Sequence, residues 1–241
     1  MMNRWFSRYL YGVDNGVEND PKSWIVREGD DRTSPTAYPA YPHPAARDVA
    51  LHLERGGRVL GALSLAPRTD QGTERLVDNV DSSGAALARA TRSEHRLLYA
   101  TPELTEAVHL SGTARITVTM ASSKPAANLS VWLVALPWTD AAPRQPNFSV
   151  ITRGWADLQN RESLSQGTPL VPGEFVTMTF TLQPDDQVIP AGKRIALMVF
   201  SSDRDFTLWP APGTELTLDL DATRLVLPVV GGAEALAKAM R

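Results

Sequence analysis

No cysteine occurs in the 241 residues, which removes disulfides, thiolate nucleophiles and cysteine metal sites together. G-x-S-x-G is also missing, the strained turn on which an α/β-hydrolase exposes its nucleophilic serine. Ser111 precedes a glycine, Ser201 and Ser202 follow an apolar run, and all three read as turn or hydrogen-bonding serines. The four histidines, His43, His52, His95 and His109, form no H-E-x-x-H and no i, i+4 pair. Within this chain no catalytic residue, metal site or cofactor is therefore expected. Asp78, Asn79, Asp81 and Ser82 match no calcium-loop spacing and are expected to form a solvated loop. No apolar run approaches the ~20 residues of a spanning helix, which argues against a membrane protein. A net charge of -3 supplies no basic field, so nucleic acid is not an expected partner. Met1-Met2-Asn3-Arg4-Trp5 has no apolar core of a signal peptide; none is expected in the chain itself, and the compartment stays open.

What is present is strand pattern. A chain of this length buries about 70 to 75% of its unfolded surface, enough for one large all-β domain or two small ones. The organising stretch runs from Asn147 to Asp203. There Val176, Met178, Phe180 and Leu182 alternate with polar positions, while Ile195 to Phe200 is apolar on both faces and predicts a central strand. Pro172-Gly173 and Pro190-Ala191-Gly192 mark turns between them, giving a strand, turn, strand, turn, strand unit. Elsewhere, strands are expected over Trp24 to Glu28, over Asp48 to Glu54 and Val59 to Leu65 around an Arg55-Gly56-Gly57-Arg58 hairpin, and over 114–120 and 129–136. Two more are expected near the end, over 215–221 and 224–230. Residues 67–95 read as a long loop with a helical turn near 85–90. Trp5 with Tyr9 and Phe6 with Leu10 stand at i, i+4 before Gly12, predicting a short amphipathic helix. Ala233 to Arg241 predicts a frayed terminal helix. Many short strands and marginal end helices define an all-β sandwich.

The same residues carry a family likeness. Thr152-Arg153-Gly154-Trp155-Ala156-Asp157, Leu170-Val171-Pro172-Gly173, Ile189-Pro190-Ala191-Gly192-Lys193-Arg194-Ile195 and Ser201-Ser202-Asp203 resemble the C-terminal jelly-roll domain of Xaa-Pro dipeptidyl-peptidases. That family consists of serine peptidases with an α/β-hydrolase domain before this all-β domain, and cocaine-esterase-type hydrolases are its relatives. The resemblance implies a galactose-binding-like jelly roll over 23–232, a helix and exit turn belonging to the upstream hydrolase domain over 1–22, and a tail over 233–241. It also implies that 96–104 and 108–112 are paired strands leading into the jelly roll, and that the catalytic serine, aspartate and histidine all lie upstream of Met1. The implied partners are the upstream hydrolase domain and, in the whole enzyme, a peptide substrate; a homo-oligomer is a further possibility. Trp5, Tyr9, Trp155 and Trp209 become candidates for the domain interface or the substrate entrance. Arg153, Asp157, Arg161 and Glu162 either order a loop, the favoured reading, or face a substrate channel. A carbohydrate-binding jelly-roll module, with Trp155 and Trp209 stacking on sugar, stays open as the alternative.

Overall fold

Ile195, Leu197 and Val199 point into one core while Ala196, Met198 and Phe200 point into another, so the run that is apolar on both faces lies between two packed layers. The computed structural model describes residues 2–27, 33–140 and 149–241. In chain order they form α1 (Met2–Tyr11), β1 (Ser23–Ile25), β2 (Thr36–Tyr38), β3 (Ala46–Glu54), β4 (Gly61–Ser64), β5 (Thr73–Val77) and α2 (Gly84–Arg89). Then follow β6 (Arg96–Ala100), β7 (Val108–Gly112), β8 (Arg115–Ser122), β9 (Asn128–Leu136), β10 (Val150–Asp157) and β11 (Phe175–Thr181). The chain continues with β12 (Asp185–Ile189), β13 (Arg194–Phe200), β14 (Glu215–Asp219), β15 (Arg224–Val230) and α3 (Gly232–Ala239).

β1 and β2 form a small separate sheet, and the other thirteen described strands share one hydrogen-bonded path. It runs β10-β9-β13-β6-β4-β3-β15-β8-β14-β5, with β11 beside β8 and the β7–β12 pair beside β15. The path folds over at β4, which pairs in parallel with β6 and antiparallel with β3. Leu97, Leu129, Val131 and Leu197 on one side then meet Leu51, Ile116, Val118 and Leu227 on the other, all fully buried. Gly112 makes the corner between β7 and β8. Its φ is 133°, and a Cβ there would lie 3.1 Å from Pro228, so a side chain fits neither the backbone nor the space. The result is a jelly-roll β-sandwich, as the strand pattern and the family likeness implied.

Several expectations change. The three organising segments are not neighbours: β10 pairs with β9, β13 lies between β9 and β6, and β11 pairs with β8 in the opposite layer. Likewise β6 and β7 do not pair together; β6 joins β13 and β7 joins β12. The second arm of the hairpin starts at Gly61 rather than Val59, because Glu74 accepts the Gly56 and Gly57 N–H groups and draws that loop toward the sheet. The expected loop over 67–95 contains β5, an edge strand on β14 with Leu76 as its buried residue. It also places Asp78 inside the protein, 7% exposed, with its Oδ1 accepting the Ser202 N–H at 2.8 Å, whereas Asp81 is exposed as expected of a solvated loop. The first strand is Ser23–Ile25 instead of reaching Glu28, and Glu28, like Asn147, lies outside the described residues. Finally, α3 does not fray: Leu236 and Ala239 are buried, and the Thr105 N–H donates to Ala239 O at 2.8 Å.

Outside the main core, a second cluster covers the far face of β9, β13 and β6, with α2 laid over it through Leu87 and Ala88. Gly84 opens α2 directly against the Trp132 ring, where a Cβ would meet Cη2 at 2.3 Å. The ring cannot yield easily, since Phe200 holds it edge-on at 5.7 Å and its indole N–H is bonded. Gly84→Ala is expected to cost about 2 kcal/mol. Gly167→Ala, which meets only ordinary contacts at 3.7 Å, is expected to cost much less; urea midpoints of the two variants check this.

Candidate interdomain surface

Register brings the site together. Arg153 of β10 stands opposite Trp132 of β9, and Trp155 opposite Ser130, so both long side chains of β10 share the outer face with Trp132. Beyond the end of β13 the chain turns at Asp203, whose carbonyl accepts the N–H groups of Phe206 and Thr207 at 2.8 and 2.9 Å. That turn returns Phe206 over the same face. Trp155 stacks on Phe206 with centroids 5.3 Å apart and planes at 26°. The Arg153 guanidinium packs against two rings, with Cζ 4.3 Å from the Trp132 centroid and 5.0 Å from that of Phe206.

Asp203 ties the cluster from below. Its Oδ2 accepts the indole N–H of Trp132 at 2.7 Å and of Trp155 at 2.9 Å, while its Oδ1 is buried without a partner. Burial pushes the Asp203 carboxyl above its ordinary value, outweighing the bonds from Trp155 and Trp132 and the Arg153 charge. The following loop leaves Phe206, Leu208 and Trp209 exposed, at 54%, 89% and 58%.

Of the sequence candidates, Trp155 is half-buried within this cluster, and Trp209 is exposed in the loop that follows Phe206. Trp5 and Tyr9 lie together on α1 with centroids 4.7 Å apart, and make no ring contact with either among the described residues. No residue of α1 is buried. Its polar face is held by Arg4 to Asp20 at 2.8 Å and by Arg8 to Glu18, leaving Trp5, Phe6, Tyr9 and Leu10 open. Asp157 caps the Gln159 N–H at 2.9 Å, and Arg161 holds Leu158 O and Thr168 O, so these two residues order the loop after β10. Arg153 does not; it belongs to the aromatic stack. Sequence reasoning missed Asp203, Phe206 and Trp132 as its companions, since only strand pairing joins positions this far apart.

A second polar knot ties the small sheet to the sandwich. Asp186 of β12 accepts Arg27 Nε at 2.7 Å, His109 Nε2 at 3.0 Å and the Tyr38 hydroxyl at 3.3 Å. Burial alone would raise the Asp186 carboxyl, yet bonds from Ser111, His109 and Arg27 hold it below its ordinary value. His109 is thus a structural histidine. Ser111 Oγ accepts the His43 backbone N–H at 2.8 Å, Ser201 Oγ donates to Asn128 O at 3.0 Å, and Ser202 Oγ is buried without a partner. Among the described residues, none of the three serines is hydrogen-bonded to an imidazole.

The architecture and these surfaces define an accessory β-sandwich of jelly-roll type. Residues 15–239 match the family described as the X-Pro dipeptidyl-peptidase C-terminal non-catalytic domain, and the chain belongs to that family. A Rhodopirellula baltica protein described as a candidate Xaa-Pro dipeptidyl-peptidase is 60% identical over 96% of this chain, and the Xaa-Pro dipeptidyl-peptidase of Lacticaseibacillus rhamnosus is 24% identical over 95% of it. The chain spans 37% and 33% of those two proteins' lengths. Among solved structures, an aminopeptidase from a Thaumarchaeota archaeon aligns over 95% of this chain and 44% of its own, with a TM-score of 0.70 at 17% identity. An α-amino acid ester hydrolase aligns over the same shares, with a TM-score of 0.69 at 18% identity. At such identities the likeness is one of fold.

Proposed function

We propose that the chain serves as the non-catalytic C-terminal domain of a Xaa-Pro dipeptidyl-peptidase, bracing an upstream α/β-hydrolase domain and walling one side of its substrate entrance. In such an enzyme the chemistry is acyl transfer: a serine attacks the carbonyl after a penultimate proline, a histidine moves the proton and an aspartate orients the imidazole. All three belong to the upstream domain. This chain's task is to restrict access to peptide N-termini and to hold its partner's shape.

The observation that carries the reading is α1, a ten-residue helix with its polar face pinned by Arg4 and Arg8 and its aromatic face uncovered. A helix this short is marginal in water unless that face is buried. Trp and Tyr rings are also the groups that contribute most when an interface closes over them. Trp155 and Trp209 supply a second aromatic surface for the same partner.

The test uses the full-length enzyme and the isolated 241-residue chain side by side. Trp5→Ala/Tyr9→Ala is expected to lower the inactivation temperature of Xaa-Pro-p-nitroanilide hydrolysis by about 5 °C, while the melting temperature of the isolated chain stays within about 1 °C. Equal inactivation temperatures for variant and wild type would remove the bracing role. A sugar that quenched the chain's tryptophan fluorescence, with the effect lost in Trp155→Ala or Trp209→Ala, would move the assignment to a carbohydrate-binding module.

A further inference from the structure

The Arg153 side chain is a cation with no direct hydrogen-bonding partner among the described residues. Its Nε is buried and makes no hydrogen bond, and its guanidinium takes part in no ion pair among the described residues. The Asp203 carboxylate feels the Arg153 charge but forms no hydrogen bond with it: one oxygen goes to two indoles and the other is buried and unpartnered. Asp205, whose charge acts on Asp203, forms no ion pair with Arg153 either. Meanwhile the Trp132 and Phe206 rings both pack against the guanidinium. With the rings against the guanidinium and Nε buried, the terminal Nη donors are left as the recognition element. The loop that brings Phe206 to Arg153 also exposes Leu208 and Trp209. An arginine within an aromatic and apolar rim is the composition of an interface centre, where a desolvated guanidinium must find a charged acceptor.

We infer that Arg153 receives a carboxylate side chain, an Asp or Glu, from the upstream hydrolase domain, and that this ion pair lies at the centre of a second docking surface rimmed by Phe206, Leu208 and Trp209. The inference rests on the reading that such a domain packs against this chain. The unpartnered donors select the occupant: a guanidinium fork inside apolar surface matches the two oxygens of a carboxylate. The relatives at 60% and 24% identity both extend well beyond the matched part, which provides chain to supply the anion. A closing domain would also shield the edge from water, making the bidentate pair stronger than an exposed one.

Phenylglyoxal, which condenses with free guanidinium edges, reads this directly. Labelling of Arg153 is followed by peptide mass spectrometry in the isolated 241-residue chain and in the full-length enzyme, with the exposed Arg92 as internal standard. Arg153 is expected to label at least tenfold more slowly in the full-length enzyme, with Arg92 unchanged. In the full-length enzyme, Arg153→Met is expected to raise the exchange of the 203–209 amides several-fold toward the isolated-chain rate, and Arg153→Lys to fall between, because an ammonium cannot reproduce the fork. Equal Arg153 labelling in both proteins, with the Trp5/Tyr9 effect present, would overturn this inference alone. Equal labelling with no Trp5/Tyr9 effect would overturn both. Protection of Arg153 in the isolated chain by a soluble sugar, and not by the rest of the enzyme, would also overturn it.

Discussion

Arg96→Met is expected to destabilise the domain by about 4 kcal/mol, lowering its melting temperature by roughly 8–16 °C. Arg96 sits on β6 with no exposed surface, where an arginine is rare unless every donor is engaged. Its Nη1 donates to Gly57 O at 2.6 Å, its Nη2 to Ala90 O at 2.6 Å and its Nε to Leu87 O at 3.3 Å. Two of these carbonyls lie at the C-terminal end of α2, where no intrahelical donor remains and positive charge is favoured. Burial pushes the guanidinium's pKa down, but arginine stays charged at any ordinary pH. Methionine fills the volume and supplies no donor, so the helix end is left buried with bare carbonyls. Loss of near-ultraviolet circular dichroism from Trp132, which α2 covers, is expected to accompany the lower urea midpoint. An unchanged midpoint would mean that water replaces all three bonds.

Asp186→Asn is expected to cost about 3 kcal/mol at neutral pH, since it leaves the charge of Arg27 facing a neutral amide in a mostly buried site. The sign of its pH dependence follows from the depressed carboxyl. A lowered folded-state pKa contributes stability that is present above the ordinary carboxylate value of 3.8 and is lost as pH falls through the depressed one. The gap between wild type and Asp186→Asn should therefore narrow below that value. Asp203 acts in the opposite sense. Its raised carboxyl contributes stability below 3.8 that is lost as pH rises through the folded value, and Asp203→Asn removes that dependence. Urea unfolding at pH 7, 5 and 3 checks both signs; a gap for Asp186→Asn that did not change with pH would refute the linkage.

The sandwich was legible wherever burial leaves a local trace. Ile195 to Phe200 faces two cores, so both of its faces are apolar, and β8 and β14 alternate because each has one buried face. What local pattern cannot carry is partnership. β12 opens with Asp185 and Asp186, an unpromising start for a strand, and is made tolerable by Arg27, Tyr38 and His109 from distant segments. β5 was hidden for the converse reason, as an edge strand with little to bury. Arg96 reads in sequence like a solvated strand end, and only the end of α2 explains its burial. Trp155 and Arg153 could be singled out from the run that contains them. Their stack could not, since Phe206 and Trp132 reach it through pairing register and a turn.

The position of β15 also bears on the order of events during synthesis. That strand pairs with β3 along its length and touches both β7 and β8, yet it comes last of the fifteen described strands. Until it leaves the ribosome, β3 lacks a partner on one edge and β8 lacks one over residues 115–117, since β14 pairs only with the far end of β8. Early strands must then wait with open edges, a state that invites pairing with other chains. A nascent chain stalled before Arg224 would accordingly remain sensitive to proteases and chaperones, and one stalled well beyond Val230 would not.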